Sequence, residues 1–187
     1  MIYTFRLPDD YDPKLIGCYD SNSGSSPHDF FMQGMLPGWY SPTVRFDMPP
    51  EMIDPIPSTN LPYEIFSNDL AHKIYGIVGE EIRLIKVPAY AENKQIDDFY
   101  IIYPVLKCHI WDMARSRWRP LKVPFWPKDK PMYYDDMVMK EDFQLESYIG
   151  RNGDLERMLV FRSAIRDVIV QSKSWVDVIT PQNYKRA

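Results

Sequence analysis

Residues 81–87, EIRLIKV, and residues 98–111, DFYIIYPVLKCHIW, are the two stretches that decide the fold. Both are rich in β-branched and aromatic residues, and a short connection joins them, so they predict a long antiparallel pair of strands. In the second stretch the run from Phe99 to Tyr103 is apolar throughout, which is typical of a central strand buried on both faces. We therefore expect the chain to be organised around a sheet.

A helix is predicted before this pair. Residues 63–66 favour a short strand, Ser67 is a suitable N-cap, and Gly79 ends the pattern. The apolar residues that recur between them at helical spacing are Leu70, Ile74 and Ile77. A second unit of the same kind is expected to pass from a strand through Ser172 into a helix, either as a duplication or by ordinary serine capping. The apolar residues of that second helix are Trp175, Val178 and Ile179.

Further strands are expected along the rest of the chain. They are Ile2–Leu7, Leu15–Tyr19, Thr43–Met48, Phe143–Ile149, Arg157–Arg162 and Asp167–Gln171. Residues 150–153, GRNG, predict a turn because Asn-Gly is a strong turn signal. Two proline-rich segments, at about residues 20–60 and 114–140, are expected to be irregular.

The composition supports this reading of the fold. The chain has 187 residues, which suits one domain. It contains 17 prolines against eight glycines, with 13 tyrosines, nine phenylalanines and five tryptophans, so strands and stiff loops are favoured over a helix bundle. We predict a single α+β domain over residues 1–187, mostly antiparallel sheet with a few short helices and long loops rich in proline and aromatic residues.

Charge and cysteine content exclude several classes of protein. The net charge of −4 argues against a nucleic-acid-binding domain, which usually carries a basic excess. We expect neither a signal peptide nor a membrane span, because no apolar run approaches about 18 residues. Cys18 and Cys108 are too few for a disulfide framework. These observations predict a cytoplasmic protein that binds neither nucleic acid nor membranes.

Few residues suit catalysis or metal binding. The histidines are His28, His72 and His109, and His109 adjoins Cys108 on a strand, where neighbouring side chains point to opposite faces. The paired acids fall at turns and are expected only to keep those turns solvated; they are Asp9/Asp10, Glu80/Glu81, Asp97/Asp98 and Asp135/Asp136. The common nucleotide, zinc and hydrolase motifs are absent from the sequence. We predict a protein that is not an enzyme and uses no cofactor or metal; the alternative is a small enzyme that uses Cys108 and His72 with an acid.

One basic and aromatic segment suits a macromolecular interface. It runs from Arg115 to Lys122 and includes Trp118. Such a segment could follow a nucleic acid backbone, but nearby aspartates and the acidic chain favour a protein partner, for which Trp, Tyr and Arg contribute most binding energy. The candidate partner-binding residues are Trp118, Trp126, Tyr133, Tyr134, Asp135 and Asp136. The alternative for each of them is packing over the protein's own core.

The order of these segments resembles a known family. Residues 159–162, LVFR, followed by residues 167–172, DVIVQS, resemble the closing segment of the eleventh immunity-protein family of bacterial polymorphic-toxin systems, long described as a domain of unknown function. Residues 65–70, IFSNDL, and then residues 81–87 and 99–112 look like the middle of that family. The similarity covers about two thirds of the chain and leaves the two irregular segments unmatched.

The resemblance implies a function and no catalytic residues. Members of that family are small cytoplasmic proteins that neutralise a cognate toxin. We therefore expect an immunity protein that neutralises a bacterial toxin by direct one-to-one binding, and the acidic chain favours a basic toxin. The alternatives are an adaptor or accessory subunit of a secretion or assembly complex and the enzyme described above.

Overall fold

A computed structural model describes residues 1–27, 29, 39–120, 131–153 and 158–183. These residues form an α+β fold of short strands, mostly paired antiparallel, and two α-helices. The strands are β1 Thr4–Arg6, β2 Cys18–Gly24, β3 Pro42–Phe46, β4 Ile65–Ser67, β5 Ile82–Val87, β6 Ala89–Ala91, β7 Lys94–Gln95, β8 Phe99–Pro104, β9 Lys107–Cys108, β10 Arg117–Pro120, β11 Pro131–Asp136, β12 Ile149–Asn152, β13 Leu159–Phe161 and β14 Asp177–Ile179, and the helices are α1 Asn68–Val78 and α2 Ser163–Gln171.

The central sheet has the strand order β4-β8-β5, and both pairs are antiparallel. The predicted antiparallel pair is thus confirmed, with Leu84 opposite Ile102. The second strand is shorter than expected, since β8 ends at Pro104, which has no N–H for a sheet ladder. The chain then continues into β9, which pairs in parallel with β12.

Strand β8 is buried on both faces, as predicted. Ile101 packs in a hydrophobic cluster with Val44 of β3. Its neighbour Ile102 points to the opposite face and packs in a second cluster with Ile74 of α1 and Ile165 of α2. The central sheet therefore separates the small β2-β3-β6-β7 sheet from the two helices.

Helix α1 is confirmed at the predicted place, with a correction to its buried face. Its buried residues are Leu70, Ala71, Ile74 and Val78. Ile77, which was assigned to the apolar stripe, is 38% exposed, because the buried stripe is centred nearer Ile74 and Val78 and leaves Ile77 at its edge. Ser67 precedes the helix, but its side chain forms no capping hydrogen bond. Gly79 follows the helix with φ of +54°, which glycine adopts without strain.

The turn predicted at residues 150–153 is wrong, because Gly150, Arg151 and Asn152 belong to strand β12. β12 is the middle strand of the β13-β12-β9 sheet, and its four residues are buried. The Arg151 guanidinium lies 4.1 Å from the centre of the Tyr63 ring, and Nη2 donates to the Ile102 carbonyl at 2.9 Å. These contacts join β12 to the central sheet, so tertiary packing overrides the local turn signal.

Three other predictions in the C-terminal third are wrong. The strand expected at Asp167–Gln171 is part of helix α2, whose residues Ile165 and Ile169 are buried one turn apart. A short apolar run does not distinguish a strand from a buried helix face. The second strand-serine-helix unit is absent: α2 ends before Ser172, and Val178 lies in strand β14. The strand expected at Phe143–Ile149 begins only at Ile149.

Strands near the two ends of the sequence pair with each other beside the β13-β12-β9 sheet. Strand β1, predicted within Ile2–Leu7, pairs antiparallel with β14, and Thr4 lies opposite Ile179. Tyr3 bridges to Phe161 of β13 and joins this pair to the β13-β12-β9 sheet. Both ends of the described chain are therefore held by backbone hydrogen bonds.

The two segments expected to be irregular contain strands. The first includes most of β2, which begins later than the predicted Leu15–Tyr19 strand, and β3, which matches the predicted Thr43–Met48 strand. The second includes β10 and β11, which form an antiparallel pair. Extended aromatic and proline residues are compatible with short edge strands as well as with loops.

None of the helices in the described ranges is long and apolar enough to cross a membrane.

Candidate functional site

The predicted partner-binding residues lie mainly on the β10-β11 pair, which we call the hairpin. Trp118 on β10 is half-buried, and its backbone lies opposite that of Tyr134. Tyr133, Tyr134 and Asp135 lie on β11, and Asp136 is its last, exposed residue. Trp126 lies outside the described residues. The fold thus places five of the six candidates on two paired strands.

Hydrogen bonds fix the base of the hairpin. The Ser116 hydroxyl donates to the Asp112 carbonyl at 2.6 Å and accepts from the Val138 N–H at 3.0 Å. The Asp112 N–H donates to the Val138 carbonyl at 2.8 Å, and the Asp112 carboxylate accepts from the N–H of Arg115 at 3.2 Å. The segment before β10 and the segment after β11 are therefore held together at the base of the hairpin.

Two exposed ion pairs lie on the hairpin and at its base. Arg117 lies 3.4 Å from the Asp136 carboxylate, with side chains 76% and 63% exposed. Arg115 lies 2.7 Å from Glu141, and this contact raises the pKa of the Arg115 guanidinium. Exposed pairs of this kind contribute about 1 kcal/mol or less to stability, so these charges are available to a partner at little cost to the fold.

The residues of the alternative enzyme have different surroundings. His72 lies on the exposed side of α1, where its ring packs edge-on against Tyr100 at 5.2 Å. Cys108 packs against the hydrophobic cluster that contains Trp111, and its thiol donates to the Arg151 carbonyl at 3.5 Å. His28 lies outside the described residues. The structure therefore assigns His72 and Cys108 structural contacts in separate clusters.

One acidic turn borders a polar surface cleft of about 530 Å³. The residues that line it are Asn68, Gln95, Ile96, Asp97, Asp98 and Tyr100. The Asp98 carboxylate lies 2.7 Å from the Lys86 ammonium, and hydrogen bonding to Asp98 raises the pKa of Lys86. In the described ranges no three His, Cys, Asp or Glu side chains lie close enough to hold a metal ion. The cleft is therefore a polar hollow in which one carboxylate is neutralised by a lysine.

A second aromatic site, which the sequence analysis missed, lies in the loop after α2. Trp175 is 45% exposed, although its backbone is firmly held. The carboxylate of Asp54, only 5% exposed, accepts hydrogen bonds from the Trp175 N–H at 2.6 Å and the Ile56 N–H at 2.7 Å, and also from the Ser174 hydroxyl. One buried carboxylate therefore fixes both the loop and the segment before β4.

The same loop is further fixed by its own residues. The Ser172 hydroxyl donates to the Ile169 carbonyl at 2.6 Å and accepts from the Ser174 N–H at 3.4 Å. Lys173 has φ of +57°, a left-handed conformation that residues other than glycine adopt infrequently. The sequence signal was present in Ser172 and Ser174, because short hydroxyl side chains that bond nearby backbone groups favour turns over helices.

Tyr11 completes this surface. Its ring packs edge-on against Trp175, with 6.3 Å between centroids and an interplanar angle of 61°. The Tyr11 hydroxyl donates to the Leu15 carbonyl at 3.0 Å, and burial raises the pKa of this hydroxyl above its ordinary value. Three exposed aspartates flank Tyr11 in the sequence. We call Asp9, Asp10, Tyr11, Asp12 and Trp175 the Trp175 surface.

Comparison with known proteins leaves the function open. No protein-family model matches the chain, and a search of curated proteins returns no significant match. The resemblance to the eleventh immunity-protein family therefore stays a prediction.

Proposed function

We propose that this protein binds a bacterial protein toxin in a one-to-one complex and thereby neutralises it in the cytoplasm. The observation that carries the proposal is the hairpin, two paired strands with a fixed base whose sequence contains tryptophan, tyrosine and arginine residues. These residue types dominate the energetics of protein interfaces. The order of segments that resembles the immunity family supports the same conclusion.

The base of the hairpin suits binding because its backbone is already fixed. Hydrogen bonds of Asp112 and Ser116 hold it, so ordering of this base adds little to the entropy lost on association. Arg117 and Asp136 can exchange their mutual contact for contacts with a partner, since both are largely exposed. A toxin would be inhibited either by occlusion of its active cleft or by obstruction of its docking surface.

The test is co-expression with the protein encoded by the adjacent reading frame. Neutralisation predicts that growth is rescued and that the two proteins co-purify at one-to-one stoichiometry. Trp118→Ala should weaken the complex by about tenfold or more, as truncation of an aromatic interface residue commonly does. Val105→Ala is the matched control, because Val105 is 62% exposed and lies outside the hairpin.

Each outcome distinguishes the candidate functions. Rescue with a complex that Trp118→Ala weakens supports the proposal. A stable complex without rescue would identify an adaptor or accessory subunit instead. If the neighbouring protein is toxic and neither binds nor is neutralised, the proposal is wrong.

A double charge reversal, Asp135→Lys with Asp136→Lys, should weaken binding of a basic toxin most strongly at low ionic strength, because salt screens exposed charges.

A further inference from the structure

We propose that the Trp175 surface is a second docking site, which binds an arginine-rich or lysine-rich segment of a protein partner. The inference deepens the proposed function and rests on it insofar as the partner is the toxin. It concerns a surface separate in sequence from the hairpin, formed by residues 9–12 and the loop after α2.

Trp175 presents an apolar indole to solvent on a fixed backbone. The backbone of Trp175 is held by the buried Asp54 carboxylate, yet its side chain is 45% exposed. A tryptophan needed only for the core would be expected to bury more of its ring. Pre-ordering of the loop lowers the entropy lost when a partner packs on the ring.

Tyr11 and Trp175 together form a defined aromatic platform. The Tyr11 ring meets Trp175 edge-on, and the Tyr11 hydroxyl is anchored to the Leu15 carbonyl. Guanidinium and ammonium groups bind to the faces of Trp and Tyr rings, and arginine in particular stacks on them. The platform therefore suits a cationic side chain as well as an apolar one.

The charged residues around the platform favour a basic partner. Arg6 contacts Asp9 at 3.4 Å and Asp177 at 3.8 Å, so its charge is already balanced within the protein. Asp10 and Asp12 are exposed and form no ion pair with another described residue. The two segments that form the surface also hold the exposed lysines Lys14 and Lys173. Residues 6–14 and 172–177 together carry four aspartates against these two lysines and Arg6, so an acidic excess remains. Exposed carboxylates next to an aromatic platform select a basic segment over an acidic one.

The test uses a fluorescent peptide of alternating arginine and serine residues as the probe, and the same peptide with glutamate for arginine as reference. The full chain should bind the arginine peptide and not the glutamate peptide. Trp175→Ala keeps the backbone N–H that Asp54 holds, and it should weaken peptide binding at least about fivefold. Asp9→Lys with Asp10→Lys should weaken binding similarly, with a larger effect at low salt.

The matched control is Asp142→Lys with Glu146→Lys, which changes the net charge equally at exposed positions elsewhere. Binding by this control within about twofold of the wild type supports a local site. Equal weakening by the control and the surface variants would mean nonspecific attraction and would overturn the inference. So would unchanged binding by Trp175→Ala that circular dichroism shows to be folded.

The same variants separate this inference from the proposed function. If the toxin binds the wild type and Trp175→Ala equally well and the arginine peptide does not bind, only the Trp175 inference fails. If the peptide binds the Trp175 surface but the neighbouring toxin forms no complex, only the proposed function fails.

Discussion

Asp54 should be among the most sensitive positions for stability, because one buried carboxylate accepts hydrogen bonds from two distant parts of the chain. Its partners are the N–H of Ile56, the hydroxyl of Ser174 and the N–H of Trp175. A hydrogen bond to a charged group contributes about 1.5–3 kcal/mol net. The three are not additive, and water can reach the partly exposed loop once the carboxylate is removed. We therefore expect Asp54→Ala to lower the free energy of unfolding by about 3–5 kcal/mol.

Asp54→Asn provides a graded test of the same reasoning. The amide keeps one acceptor oxygen but places an NH₂ group where the second oxygen met a donor, so at least one N–H or hydroxyl loses its partner. The expected loss is about 2–3 kcal/mol, smaller than that of the alanine variant. Urea unfolding followed by circular dichroism measures both, with a shifted midpoint and an unchanged slope.

Asp142→Ala serves as the control for these two variants, since Asp142 is exposed, and it should change stability by about 0.5 kcal/mol or less. A loss under about 1 kcal/mol for Asp54→Ala would refute the view that this carboxylate fixes the Trp175 loop.

Three further predictions concern the fold. Ile74→Ala should destabilise the protein by about 2–4 kcal/mol, whereas Ile77→Ala, at a position 38% exposed, should cost under about 1 kcal/mol in the same urea titration. Gly76 lies in the interior of α1, and a Cβ added there would have no neighbouring atom within 4 Å, so Gly76→Ala should raise the melting temperature through a gain of about 0.5–1 kcal/mol. Gly17→Ala should lower the melting temperature, because its Cβ would clash with the ring of the buried Phe46. The pKa of Asp20 is lowered by hydrogen bonds from the Asn22 N–H and the Ser23 hydroxyl, and then by the Arg45 guanidinium. The stability that the Asp20 carboxylate contributes is therefore present above the ordinary aspartate pKa of about 3.9 and is lost as the pH falls through the lower pKa of the folded protein. An NMR titration of the Asp20 carboxyl group should show this lowered pKa, and an ordinary pKa would contradict the contacts.

Sequence reasoning succeeded where local pattern and burial agree. Helix α1 and the β5-β8 pair lie where they were predicted. In each of these elements, the spacing of the apolar residues in the sequence matches the spacing of the residues that the element buries. The buried central strand β8 was identified for the same reason.

It failed where distant contacts decide the local structure. Gly150 and Arg151 read as a turn, but Arg151 is fixed against Tyr63 of a segment almost ninety residues earlier. The run at the end of α2 has high strand propensity, yet it packs as a helix on the face of β8 that Ile102 occupies. The local sequence pattern predicts neither the contact of Arg151 with Tyr63 nor the packing of α2 on β8.

The partner-binding residues stay a prediction, and the structure shows only where they lie. Trp118 and Asp136 were named, and the structure places both on the hairpin. The sequence predicts Trp175 on the apolar stripe of a helix, because Ser172 is a suitable N-cap. Its exposure depends on Asp54, which lies about 120 residues earlier in the chain, so the sequence alone offers no means of finding the pair.

The pairing of β1 with β14 has a consequence for biosynthesis. Thr4 meets Ile179, and Tyr11 meets Trp175, so neither contact can form until the ribosome has released almost all of the chain between them. Closure of so long a loop is slow and comes late. A nascent chain that has not yet been synthesised through strand β14 would therefore lack the Trp175 surface and could not engage a partner there.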